Sequence, residues 1–222
     1  MSRVPQRADS RGSLKWVQRA INLHADLLDG EILGQLPDAR HIEWRSPLAA
    51  DEYSEYRDSA FLERLNLGHL SEALAEFWPS RGPQWDALGI DSTGSVLLVE
   101  AKAHLEEVFS PPSQAGEVSL ARIKDALQQT AEFLGAEAAA PWHQTFYQLA
   151  NRLAHLYFLR QNGVDARLVL VGFIGDDEMH GPATEAEWEA AYAVIWHVMG
   201  LKTRHPMSRY VIHVYPDVRR LV

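Results

Sequence analysis

A chain of 222 residues and 25.0 kDa, 46% hydrophobic and 23% charged, has room for one domain with a substantial core. It has no cysteine, which excludes disulfides and thiolate zinc sites, and no apolar run near the roughly 20 residues a membrane-spanning helix needs. A net charge of -9 and a pI near 5.5 oppose a general nucleic-acid coat, yet acidic residues gathered round a metal can coexist with a local basic rim.

The opening MSRVPQRADSRGS is polar and basic, without the apolar stretch of a secretory signal, so a cytoplasmic location is expected. Residues 1–12 read as a flexible basic arm whose arginines suit a phosphate backbone or a solvated tail equally. From Ser13, Trp16, Ala20, Leu23, Leu27 and Leu28 recur at helical spacing, which predicts one amphipathic helix ending near Gly30. Residues 41–48 suit a short strand, residues 49–65 a charged helix, and residues 70–77 a further helix stopped by Pro79.

Residues 84–90 and 95–102 form two strand-like runs joined by Asp91-Ser92-Thr93-Gly94, the composition of a hairpin turn. Residues 106–117, with Pro111, Pro112 and Gly116, read as a loop. Helices are expected over residues 120–134 and 142–159, and a buried strand over 166–174. A helix with Thr184 and Glu187 at capping-box spacing follows over 184–199, and a last strand over 210–218. This order predicts an α/β fold: one domain over residues 13–222, with a mixed central sheet flanked by helices and an N-terminal helical extension.

Chemistry concentrates in WDALGIDSTGSVLLVEAK, residues 85–102. Strand alternation puts Glu100 and Lys102 on one face and Leu97, Val99 and Ala101 on the other. A charged pair ending an apolar run is costly to bury without partners. Asp86, on the preceding strand, can approach Glu100 across the hairpin. Two carboxylates beside an ammonium suit a hard cation with oxygen ligands, Mg2+ or Mn2+, and the Ala101 carbonyl lies between the two functional side chains as a further ligand. The competing reading is a surface hairpin in which Glu100 and Lys102 make an ordinary ion pair.

An acid on one hairpin strand, followed by Glu-x-Lys ending the next, resembles the signature of the PD-(D/E)XK nuclease superfamily; here the residues are Asp86 and Glu100-Ala101-Lys102. VEAKAH together with YQLANRLAHLYFL also resembles an uncharacterised bacterial family within that superfamily. The chain departs from the motif in one place: Trp85 and Gln84 separate Asp86 from Pro83, and Trp85 is expected to face away from the site. The resemblance implies a restriction-endonuclease-like core and metal-dependent hydrolysis of nucleic acid, DNA foremost; a single site per subunit would call for a homodimer to cut both strands. It implies Glu72, on the helix before the hairpin, as a further metal ligand, with Glu76 one turn later. It also implies Gln148, on a later helix, as the residue positioning Lys102, the metal-bound water or the substrate.

Gln148, Asn151, Arg152 and His155 form a polar stripe beside the apolar stripe of Phe146, Leu149, Leu153, Leu156 and Leu159. The stripe belongs either to the site or to a solvated face. Among the remaining candidates, His104 is placed at the site rim, His24, His41 and His213 are read as structural, and Asp176-Asp177-Glu178 as a solvated turn. The alternative in another functional class is a nonhydrolytic nucleic-acid-binding or protein-interaction module that retains the nuclease fold, a reading motivated by the acidic net charge.

Overall fold

The computed structural model describes residues 2–8 and 10–222; Met1 and Asp9, within the expected arm, lie outside the described residues. The rest of the arm is docked. Strand β1 (Arg3–Val4) pairs antiparallel with a two-residue strand some fifty positions later, and Arg3 bonds the side chains of Asp51 and Glu52 at 3.1 Å each.

Two helices, α1 (Gly12–Asn22) and α2 (Ala25–Leu33), replace the single expected one. Asn22 causes the break. Its amide nitrogen donates to Gln18 O and Pro47 O, each at 2.8 Å, and its oxygen accepts from Ala49 N at 2.8 Å, so the helix end is tied to the next loop. Leu23 consequently projects into solvent at 69% exposure.

β2 (Ile42–Ser46) falls inside the expected strand. The expected helix over 49–65 is mostly absent. A 3-10 turn (Ala49–Asp51), strand β3 (Glu55–Tyr56, the partner of β1) and the short helix α3 (Ser59–Arg64) stand there instead. Glu52, Tyr53 and Asp58 adopt φ of 52°, 49° and 53°, a left-handed backbone that no helix accommodates. α4 (Ser71–Phe77) follows as expected.

β4 (Ala87–Asp91) and β5 (Val96–Lys102) form the hairpin. Its turn is organised by Asp91, whose Oδ1 accepts from Thr93 N at 2.8 Å and Ser95 N at 3.1 Å, while Gly94 supplies φ of 88°. After a loop come α5 (Glu117–Leu134), α6 (Tyr147–Gln161), β6 (Ala166–Gly172), α7 (Glu185–Val198) and β7 (Val211–Val214). The capping box of Thr184 and Glu187 is formed, with Thr184 N donating to Glu187 Oε2 at 3.2 Å.

The main sheet has the order β2-β4-β5-β6-β7 and is mixed: β2, β4 and β5 pair antiparallel, whereas β6 joins β5, and β7 joins β6, in parallel. Helices cover both faces. Leu97, Val99, Ala101, Val169 and Val171 pack with Trp16, Val17, Leu28 and Ile32 of α1 and α2. Val96, Leu98, Leu168 and Leu170 point the other way, into the core completed by α3 to α7. The alternation read from sequence therefore holds along β5, and Glu100 and Lys102 share the α6 side. Among the described residues no helix is long and apolar enough to cross a membrane.

Candidate active site

β5 places Glu100 and Lys102 at its C-terminal end, almost fully buried at 2% and 8% exposure. A carboxylate at that depth requires partners, and Glu100 has two. Lys102 Nζ donates to Glu100 Oε1, and Arg152 Nε of α6 donates to Oε2. Burial alone would raise the Glu100 pKa, but Arg152 and Lys102 outweigh it and hold this carboxyl below its usual range. Burial likewise works against the Lys102 ammonium, and is overcome by Glu100 and Asp86, so its pKa rises.

Asp86 immediately precedes β4, and its Oδ2 accepts from the backbone N–H of Ala101 at 2.7 Å. That bond fixes the acid of one strand to the middle residue of Glu-Ala-Lys on the next. In an extended strand the carbonyl of a residue faces the same side as its N–H, so the Ala101 carbonyl is presented toward Asp86 as well. Among the described residues no cation bonds Asp86 directly, and its pKa is pushed well above the usual carboxylate range by burial first and the Glu100 charge second.

Gln148 and Arg152 come from the same face of α6. Gln148 Oε1 accepts from Lys102 Nζ at 3.1 Å, and its backbone N–H donates to Ser110 Oγ at 2.9 Å. Arg152 reaches further: Nη2 donates to Gln84 O at 2.7 Å, Nη1 to Asn151 Oδ1 at 3.0 Å, and its guanidinium lies 4.8 Å from the Trp85 ring centroid. The polar stripe of α6 is thus an inward face. Asn151, Arg152 and His155 are buried, with His155 packed edge-on against Trp78 at 4.9 Å. Trp85 does not turn away from the site; it is fully buried beneath Arg152.

Glu55 of β3 is the acid that sequence reasoning missed. It is buried, and its Oε2 accepts from Gln6 Nε2 at 2.8 Å and from Gln84 Nε2. Burial raises its pKa and Glu100 adds to the shift, while the bonds from Gln84 and Gln6 moderate it. Glu55 and Asp86 line one cleft of about 520 Å³ with Gln84, Gln148, Asn151 and Arg152. Residues Ser110, Pro111, Pro112 and Gln114 form its other wall, and among the described residues Arg152 is its one cationic lining residue. The signal for Glu55 lay outside its own segment, in the pairing of β3 with the N-terminal arm.

Glu72 is not brought to this cleft. It is exposed on α4, as is Glu76, and lines neither this cleft nor the small void beside Glu100. His104, just beyond β5, lies 3.6 Å from Glu107 Oε1 and is not among the residues lining the cleft or the void beside Glu100. Asp176 is no solvated turn residue: buried at 2% exposure, it accepts from Trp16 Nε1 at 2.6 Å and anchors α1.

The donor set suits a hard cation in part. Three acids, Glu55, Asp86 and Glu100, face two cations, Lys102 and Arg152, and two of those acids have raised pKa values. Among the described residues no three His, Asp or Glu side chains converge closely enough to hold an ion by themselves. Asp86, Glu100 and the Ala101 carbonyl, completed by water, match the sparse carboxylate ligation magnesium accepts. No protein-family model, curated protein or solved structure matches this chain.

Proposed function

We propose that this chain is a restriction-endonuclease-like, divalent-metal-dependent nuclease that hydrolyses nucleic-acid phosphodiesters, DNA foremost. The observation that carries the reading is the bond from Ala101 N–H to Asp86, which ties the acid of one strand to the Glu100-Ala101-Lys102 end of its neighbour. Mg2+ or Mn2+ held by Asp86, Glu100 and the Ala101 carbonyl would supply Lewis acidity toward the phosphoryl oxygen and the attacking water.

The chain's own residues do the remainder. Lys102, kept charged by Glu100 and steered by Gln148, stabilises negative charge developing on the phosphate. Arg152 holds Glu100 in position through a planar fork that also grips the Gln84 carbonyl. Pro111, Pro112 and Gln114 line the opposite side of the cleft that would receive the scissile bond. Glu72 has no place in this scheme, and Glu55 takes its position as the third acid of the cleft.

Cleavage is tested on single-stranded, duplex and branched DNA and on RNA, with Mg2+ or Mn2+. Glu100→Ala and Lys102→Ala should each abolish the activity; cleavage that survives both removes the site assignment. A homodimer would let paired sites cut both strands of a duplex, which sedimentation with and without DNA reads directly.

One observation favours the second reading, a nonhydrolytic module that retains the fold. Both oxygens of Glu100 are already engaged, by Lys102 and Arg152. Each carboxylate oxygen keeps a further lone pair, so engagement does not forbid coordination. Isothermal titration with Mg2+ separates the two readings: heat lost on Asp86→Ala supports the nuclease, and no heat with the parent chain supports the module.

A further inference from the structure

A second cleft, of about 890 Å³, opens between α7, the segment after it and β7. Its volume lies in the range of small-molecule sites. It is on the same sheet face as the candidate active site: Glu100 pairs with Leu170 and Leu170 with His213, so one row of side chains runs from the carboxylate to this cleft. Tyr192 lines both this cleft and the void beside Glu100, and so forms the wall between them.

The floor is aromatic. Tyr192 stacks on Trp196 at 5.9 Å and meets His213 edge-on at 4.6 Å; Trp196 lies 6.0 Å from His213, and Tyr215 stacks on His213 at 6.4 Å. Trp196 and Tyr215 remain half-buried, with surface left to cover. Burial depresses His213 to about 4, and its Nδ1 has no hydrogen-bond partner among the described residues, so the ring is neutral at ordinary pH. Burial likewise lowers the pKa of His205 on the opposite wall.

The rim is acidic. Glu185 and Glu189, one turn apart on α7, both line the cleft, and among the described residues Lys202 is the one Lys or Arg that lines it. Burial, and then these two carboxylates, push the Tyr215 phenol up to about 12, so their field reaches into the cleft. Glu31 stands behind them, accepting from Tyr215 N at 2.8 Å. Strand addition at β7 is discouraged, because Glu31 takes the Tyr215 N–H and Gln35 Nε2 donates to His213 O at 2.6 Å.

Aromatic faces attract cations through the ring quadrupole, and flanking carboxylates add to that attraction while repelling phosphates. We infer that the α7–β7 cleft binds an organic cation, an ammonium or guanidinium group seated against Trp196 and Tyr215 and balanced by Glu185 and Glu189. The same chemistry is offered by a free small cation and by an arginine side chain in a peptide. The site is independent of the nuclease reading.

The test titrates the full chain with choline, agmatine and the peptide acetyl-Gly-Arg-Gly-amide, followed by calorimetry and tryptophan fluorescence. The uncharged control is 3,3-dimethyl-1-butanol, the carbon isostere of choline. At least one cationic probe should saturate and bind at least about tenfold tighter than the uncharged isostere. Preference for agmatine or choline indicates a free cation, and preference for the peptide indicates a presented arginine. Glu185→Gln with Glu189→Gln, both on the exposed side of α7, should weaken the cation at least about fivefold at unchanged Tm. Trp196→Leu should remove saturable binding. Equal binding of the isostere, no saturable binding of any cation, or indifference to the glutamate pair overturns the inference. Magnesium heats should be the same in the double glutamine variant and the parent, which separates this outcome from failure of the nuclease reading.

Discussion

Replacing Arg152 tests the electrostatic arrangement most directly. Arg152→Met keeps the aliphatic stem but removes the charge from a residue 2% exposed. The substitution leaves Glu100 with Lys102 as its one ion-pair partner, frees the Gln84 carbonyl, and strips the cation from above Trp85. Removing one member of a buried ion pair costs about 3–5 kcal/mol, because the surviving charge stays desolvated. Lys102 stays paired with Glu100 Oε1, which places the expected loss near the lower bound. For a chain of this size about 3 kcal/mol corresponds to a fall in Tm of about 6–12 °C. Urea unfolding followed by tryptophan fluorescence and circular dichroism reads the change, with Glu100→Gln and the double variant completing a cycle. The double variant should be more stable than the sum of the single losses by at least about 1 kcal/mol, since the charge that suffers in Arg152→Met is then gone. A loss below about 1 kcal/mol for Arg152→Met, or strict additivity in the cycle, refutes the argument. If Glu100 is a metal ligand, Mg2+ should also raise the Tm of Arg152→Met more than that of the parent, because a carboxylate with one cationic partner removed binds a cation more tightly.

Three further outcomes follow from the same geometry. Asp86 has its folded pKa raised above the ordinary 3.8, so its ionisation costs stability once the pH passes that value; Asp86→Asn should raise Tm at pH 7, with the advantage vanishing in melts taken below about pH 3.8. His155 is depressed by burial from 6.5 to about 3, so the unfolded chain takes up the extra proton and stability should fall as pH drops from 6.5 toward 3; His155→Phe should flatten that limb, and an unchanged slope would remove His155 as its source. Gln6→Ala takes one hydrogen bond from Glu55 and should cost about 1–2 kcal/mol in urea unfolding while leaving the circular dichroism spectrum intact; no loss would show that the arm does not hold Glu55.

The parts of the fold legible in sequence were those with a strong period or a local chemical signature. β5 and β6 announced themselves as apolar runs, the hairpin by Asp91 and Gly94, and α7 by its capping box. Glu100, Lys102 and Asp86 were legible because alternation along a strand assigns faces without reference to the rest of the molecule. Glu55 was not, since residues 49–65 carry charges at helical spacing while the backbone there is set by left-handed residues and by pairing with a two-residue strand, too short to show a period. Glu72 illustrates the complementary difficulty: α4 was found, but which way a short helix turns depends on packing from elements far along the chain. Arg152 was visible in a polar stripe, yet its partner could be named only once α6 was known to turn that stripe toward β5.

The mixed pairing of β5 bears on the order in which the chain folds. Its antiparallel neighbour β4 is a short turn away, whereas its parallel neighbour β6 begins at Ala166, beyond α5 and α6. Closing a loop of about 60 residues carries an entropic cost about 2–2.5 kcal/mol greater than closing the short hairpin turn. The hairpin, with Asp86 already latched to Ala101, is therefore expected to form before α6 docks. During that interval Glu100 and Lys102 remain in water and keep the nascent strand end hydrated. Their charges are expected to keep an otherwise apolar ribbon from premature association until Arg152 and Gln148 take the place of solvent.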